Sequence, residues 1–90
     1  MSARKKKKPK IIRRLGLVGV ISDESADTRG RIQELLDQYA GIVLSTTDLP
    51  PTHPETTLVG ITVRASTDEL GAFTGKLGLV EGVRVKSFLW

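Results

Sequence analysis

The chain has 90 residues, no cysteine, one histidine and a formal net charge of +4. A single short domain of this kind buries only about 60% of the surface its unfolded chain exposes, so association with another copy would help to stabilise it. The missing cysteines exclude disulfides, thiolate metal sites and cysteine nucleophiles, and neither a run of 18 or more apolar residues nor a signal-peptide pattern predicts a membrane segment, which makes a cytoplasmic protein the expectation.

The charge is unevenly placed. Residues 1–14 hold Arg4, Lys5, Lys6, Lys7, Lys8, Lys10, Arg13 and Arg14, eight of the fourteen basic residues, and no acid. Residues 15–90 therefore carry six basic residues against all ten acids, 6 − 10 = −4. The composition predicts a disordered basic tail over residues 1–11 and a mildly acidic domain over 12–90. Such a tail is either a solvated leader or, through Arg4, Lys5, Lys6, Lys7, Lys8 and Lys10, an electrostatic contact to nucleic acid or an acidic partner.

From Ile12 to Ser22 both alternating sets are largely apolar, as in a central strand. Ser22-Asp23-Glu24-Ser25 supplies N-cap residues and early acids for a helix. Ile32, Leu35, Leu36 and Tyr39 recur at i, i+3, i+4 and i+7, one apolar stripe facing a sheet. Gly41 is placed to close that helix in a left-handed C-cap. Ile42 to Thr46 reads as a second strand and Thr57 to Arg64 as a third, the two pairing as a hairpin. Between them Leu49 to Glu55 holds three of the four prolines and the lone His53, an extended loop.

Ser66-Thr67-Asp68-Glu69 is a capping box opening a second helix, with Leu70, Phe73 and Leu77 as its buried stripe. Gly78 and Gly82 bracket a turn into the last strand, Val83 to Phe88. The order β-α-β-β-α-β predicts an α+β, ferredoxin-like two-layer sandwich: a four-stranded antiparallel sheet, order 4-1-3-2, with two helices on one face. Val18, Val20, Val59, Ile61, Val63, Val83 and Val85 are then expected to meet the helices. The other face would show Leu15, Leu17, Gly19, Leu58, Gly60, Thr62, Arg84, Lys86 and Phe88.

Large apolar groups on a solvent face call for a cover. Leu15, Leu17, Leu58, Gly60, Thr62 and Phe88 are thus the candidate interface, covered by a second copy or by the tail or Phe88-Leu89-Trp90 folding back. Gly71, Gly75 and Gly78, at i, i+4 and i+7 of the second helix, let a backbone approach. Two occupants are expected: packing against the first helix or a second subunit, or, with Lys76, a small-molecule groove at a subunit seam. Arg84 and Lys86 share one strand face and are candidates for an anion or partner contact, or they guard an edge strand. Gly75-Lys76 is not a phosphate loop, since the glycine spacing is one residue short and Leu77 stands where a hydroxyl is needed. One histidine cannot build a metal site of several imidazoles, and no cofactor is expected.

The residues Gly71, Gly75, Lys76, Leu77, Gly78, Gly82, Val83, Arg84, Val85 and Lys86 resemble the corresponding run of the iron-only hydrogenase system regulators, and the likeness extends more loosely over Leu15 to Phe88. The resemblance implies an ACT-like domain related to the C-terminal domain of nickel-responsive repressors. It implies regulation of a hydrogenase system, with transcription regulation and ligand binding among the expected roles. Metal chemistry does not carry over, because His53 stands alone. Many ACT domains place an acid, a proline and a glycine after the first strand, and Ser22-Asp23-Glu24-Ser25 lacks the latter two. Acylphosphatases share the topology but need an asparagine, and the chain has none.

Two functions are expected to compete. One is a non-catalytic, oligomeric regulatory or ligand-sensing module, a dimer or tetramer with an unidentified small ligand. The other is an electrostatic nucleic-acid binder using the basic tail. Because the two central strands carry no aromatics on which bases stack, such binding is expected to be purely electrostatic. With no cysteine and one histidine, an enzyme is not expected.

Overall fold

A computed structural model describes residues 11–23, 25–49 and 56–90. The basic residues 1–10, Glu24, and the proline loop with His53 lie outside that description. Six elements follow one another: β1 (Arg14–Asp23), α1 (Ala26–Gln38), β2 (Val43–Leu49), β3 (Thr56–Ala65), α2 (Thr67–Gly78) and β4 (Val83–Leu89). The sheet order is β2-β3-β1-β4 with every neighbouring pair antiparallel, the expected 4-1-3-2 arrangement.

The sheet alternates as its sequence does. Gly16, Val18, Val20 and Ser22 on β1 are buried, as are Val59, Ile61, Val63 and Ala65 on β3. These strand residues form one cluster with Ile32 of α1 and Leu70, Phe73 and Leu77 of α2, so both helices cover the same face. Phe73, Ile61, Leu77, Val20 and Val63 are completely enclosed. Each such burial contributes about 1.5–3 kcal/mol. Leu35, Leu36 and Tyr39 close the margin of the cluster, and the Tyr39 and Phe73 rings pack with centroids 5.1 Å apart.

Both helices begin as their residues dictate. Ser25 Oγ accepts the Thr28 amide at 3.1 Å. At α2, Ser66 Oγ accepts the Glu69 amide at 3.1 Å while Glu69 Oε1 accepts the Ser66 amide at 2.9 Å, a complete capping box. The end of α1 differs from expectation. The helix stops at Gln38 with Tyr39 as C-cap, and its closing turn is made by the Ile42 amide donating to the Tyr39 carbonyl. Gly41 takes no left-handed conformation, because that turn tightens on ordinary backbone angles. Among the described residues the one positive φ, +86°, belongs to Gly82.

The second strand runs beyond Thr46 to Leu49, with a register shift between Val43 and Ser45 that leaves Leu44 as an extra, exposed residue. The last strand continues through Leu89, and Trp90 still donates its amide to the Leu15 carbonyl at 2.9 Å. Gly16 makes that pairing possible. A Cβ there would lie 2.5 Å from the Phe88 carbonyl oxygen and 2.6 Å from the Leu89 side chain.

Candidate functional site

The face of the sheet away from the helices is built by strict alternation. Register places Leu15, Leu17, Gly19 and Ile21 of β1 beside Arg64, Thr62, Gly60 and Leu58 of β3. On the other side of β1, Leu17, Gly19 and Ile21 meet Phe88, Lys86 and Arg84 of β4. The large apolar members are exposed, from 38% at Leu17 and Leu58 to 50% at Leu15 and Phe88. The candidate interface residues Leu15, Leu17, Leu58, Gly60, Thr62 and Phe88 therefore do share one surface.

At its middle is a notch. Gly19 and Gly60 stand directly opposite one another on the two central strands. A Cβ at Gly19 would meet only the Lys86 carbonyl oxygen, and one at Gly60 only the Thr47 carbonyl oxygen, each at 3.9 Å. The floor is bare backbone with Leu17, Ile21 and Leu58 around it, a shape that accepts an incoming side chain. Sequence reasoning missed Ile21 and Trp90 as members of this face, although both continue the alternation of their strands. Phe88-Leu89-Trp90 does not fold back as a cover. Ladder hydrogen bonds hold Phe88 in β4, and Trp90 instead rests edge to face on its ring, centroids 4.8 Å apart.

The helical side holds the other candidates. Gly71, Gly75 and Gly78 are exposed on α2, and nothing lies within 4 Å of where a Cβ of any of them would be. Packing of the first helix against this stripe, one of the expectations, is therefore not what occurs: α1 meets α2 through the Tyr39–Phe73 side instead. Lys76 turns toward α1, its Nζ 5.3 Å from the centre of the Tyr39 ring. Among the described residues, open clefts of about 930, 410 and 330 Å³ flank α1. The first is lined by Asp23, Asp27, Glu34 and Glu81, the second by Arg29, Gln33, Thr46 and Asp48, and Lys76 borders the third. The glycine stripe lines none of the three. Arg84 and Lys86 do lie together on the open face, apart from the glycines. Among the described residues no cluster of three or more His, Asp or Glu could hold a metal ion, and no helix is long and apolar enough to cross a membrane.

The turn after β1 is stitched rather than open. Asp23 Oδ1 accepts the Ser25 amide at 3.0 Å, and this bond, with help from the Thr28 and Ser25 hydroxyls, holds the Asp23 carboxyl below its usual range. Thr28 Oγ1 reaches the Glu81 carbonyl and the Asp23 amide reaches the Gly82 carbonyl, joining the start of α1 to the turn before β4.

Residues 14–87 match the family model described as "TM1266-like: Iron-only hydrogenase system regulator, putative". The chain belongs to this family. Its fold is similar to the uncharacterized protein TM1266 from Thermotoga maritima, with a TM-score of 0.80 and 23% identity over 86% of this chain and 96% of that one. It is also similar to the ACT domain of the GTP pyrophosphokinase of Chlorobium tepidum, with a TM-score of 0.71 and 14% identity over 84% of this chain and 99% of that one. The regulatory subunit of aspartate kinase from Thermus thermophilus gives a TM-score of 0.57 and 16% identity over 87% of this chain and 56% of that one. No curated protein matches the sequence. The family likeness expected from Gly71 to Lys86 is thus met across most of the chain, and the architecture is ACT-like.

Proposed function

We propose that this chain is a non-catalytic regulatory module, part of an iron-only hydrogenase system in the cytoplasm, that works as a homo-oligomer. Family membership supplies the regulatory role. The oligomer is supported by one observation above the others: the open sheet face exposes Leu15, Leu17, Ile21, Leu58 and Phe88 around the bare Gly19–Gly60 notch. Covering such a surface is favourable by about 25 cal/mol for each Å² of apolar area removed from water. A second copy offers self-complementary parts, since each carries both the notch and the large side chains that can enter it.

In this reading residues 12–90 form the working domain and residues 1–11 a basic leader. Gly71, Gly75, Lys76 and Gly78 stand ready as a second, close-approach seam or ligand groove on α2, completed by a neighbouring copy. Regulation would follow if a small ligand binds one assembly state better than another. The reading is tested by the mass of the full chain in solution, measured by light scattering at tens of micromolar. A mass that is a multiple of 9.8 kDa supports it, and a strict monomer removes its physical basis.

A further inference from the structure

Beyond its apolar middle, the open face has a margin of different chemistry. The outer strand β4 presents Arg84, Lys86 and Phe88 to it in alternation, and Trp90 follows with its ring against Phe88 at an interplanar angle of 72°. Trp90 is 67% exposed. Arg64 of β3, the register partner of Leu15, lies on the same face but two strands away from β4, at the end where Trp90 pairs. Among the described residues the one ion pair is Arg13 with Glu69, so Arg64, Arg84 and Lys86 face outward without carboxylate partners.

Among the described residues most acids lie away from this surface. Asp27, Glu34 and Asp37 lie on α1, Asp68 and Glu69 on α2, and Glu81 in the turn before β4. Asp48 has its register partner in the helix-facing Val59. Asp23, at the far end of β1, is engaged by the Ser25 amide. Among the described residues the helical layer is thus acidic in balance, its six acids outnumbering Arg29, Arg31 and Lys76, and the sheet layer basic.

Six more cations, Arg4, Lys5, Lys6, Lys7, Lys8 and Lys10, precede the described residues in sequence. Trp90 donates its amide to Leu15, and Arg14 Nη1 donates to the Trp90 carbonyl oxygen at 3.3 Å.

A ligand that answers all of this must carry repeated negative charge and flat apolar faces, spaced along a strand whose same-face residues are about 6.6 Å apart. We propose that β4 is a docking strip for single-stranded nucleic acid: Phe88 and Trp90 stack bases, and Arg84 and Lys86 hold phosphates. The basic run adds attraction that is indifferent to sequence. A duplex keeps its base faces covered and cannot use the aromatic pair. The expectation of purely electrostatic binding is revised here, because the aromatics missing from the central strands are supplied by β4 and Trp90. This strip does not depend on self-association. It shares Phe88 with the proposed seam, and Leu17 and Ile21 lie directly beside Phe88 and Arg84, so a single strand and a second copy compete for this part of the face.

The test is titration of the full chain at low salt against fluorescein-labelled oligo(dT) and oligo(U) of about 12 nucleotides, a length within the usual single-strand site. Anisotropy and the emission of Trp90, the one tryptophan, are read together. Binding to either oligonucleotide with quenching of Trp90, weaker for a duplex of equal length, is the expected result. Trp90→Ala and Phe88→Ala should each lower affinity about 5- to 100-fold. Phe88→Leu keeps the apolar volume and should lower it too, which separates stacking from a folding defect. Lys86→Gln should reduce the salt slope by about 0.7. The proposal is overturned if no binding occurs, if duplex binds as tightly as single strand, or if a polyglutamate peptide binds in preference to both. It is equally overturned if Phe88→Leu and Trp90→Ala bind normally while deletion of residues 4–10 abolishes binding, since the basic run alone would then be responsible.

Discussion

Arg13 grips Glu69 with two nitrogens, Nε 2.9 Å from Oε1 and Nη2 2.8 Å from Oε2, across 56 residues of sequence. The same carboxylate accepts the Ser66 amide, so one side chain ties the entry of β1 to the first turn of α2. Arg13 is thereby fixed within the domain, where the 12–90 boundary read from the sequence already places it.

That geometry has a pH signature. The Arg13 hydrogen bonds first, then the Ser66 amide, hold the Glu69 carboxyl at about 2, below its ordinary 4.5. A carboxyl with a lowered folded-state value stabilises the fold fully above the unfolded value and loses that contribution as pH falls toward the folded one. The denaturant midpoint should therefore drop between pH 4.5 and 2, and drop less in Glu69→Gln, which is already weakened at pH 7. Parallel pH profiles for the two proteins would show that the contact carries no stability.

Gly82 and Gly75 should respond oppositely to alanine. At Gly82, φ is +86° and a Cβ would run into the Asp23 carboxylate. Gly82→Ala is expected to lose more than about 1 kcal/mol in equilibrium unfolding, because an L side chain is strained there and the turn is already filled.

Gly75 is an exposed mid-helix residue with open space around it. Gly75→Ala should gain roughly 0.5–1 kcal/mol from helix propensity alone. Should the α2 stripe serve as a close-approach seam, the same substitution would weaken assembly while raising the stability of the subunit. Measuring unfolding and solution mass on one sample distinguishes the two effects.

Much of this architecture can be read directly from residue order. The capping box at Ser66 and Glu69, the stripes at Ile32 and at Leu70, Phe73 and Leu77, and the alternation through Val59, Ile61 and Val63 are local signals whose periodicity determines which side is buried. What escaped was set by contacts distant in sequence. The pairing of Arg13 with Glu69 arises only when α2 brings the carboxylate beside it. Gly41 has the composition of a C-cap, but the turn from Tyr39 to Ile42 closes without a left-handed residue. Trp90 joins the sheet surface only because Gly16 lets the end of β4 lie close along β1. The opposition of Gly19 and Gly60 is a matter of strand register, which neither segment specifies alone.

Filling the notch offers a further check on the open face. Gly60→Val places a β-branched residue in a strand, where it fits well, and its Cβ meets only a carbonyl oxygen at 3.9 Å. The folded subunit should tolerate it, with a melting temperature at or above that of the parent. Assembly should weaken, since the space for an incoming side chain is gone.

The central claim is that another copy covers the sheet face bearing Leu17, Ile21 and Leu58. Sedimentation velocity on the parent chain and on Leu58→Lys tests it most directly, with circular dichroism to verify that both are folded. Leu58 is already 38% exposed, so a lysine there can extend into water without disturbing the helix-facing core. The account predicts an oligomeric parent and a folded, monomeric variant. A variant that sediments as the parent does would place the seam elsewhere and contradict it.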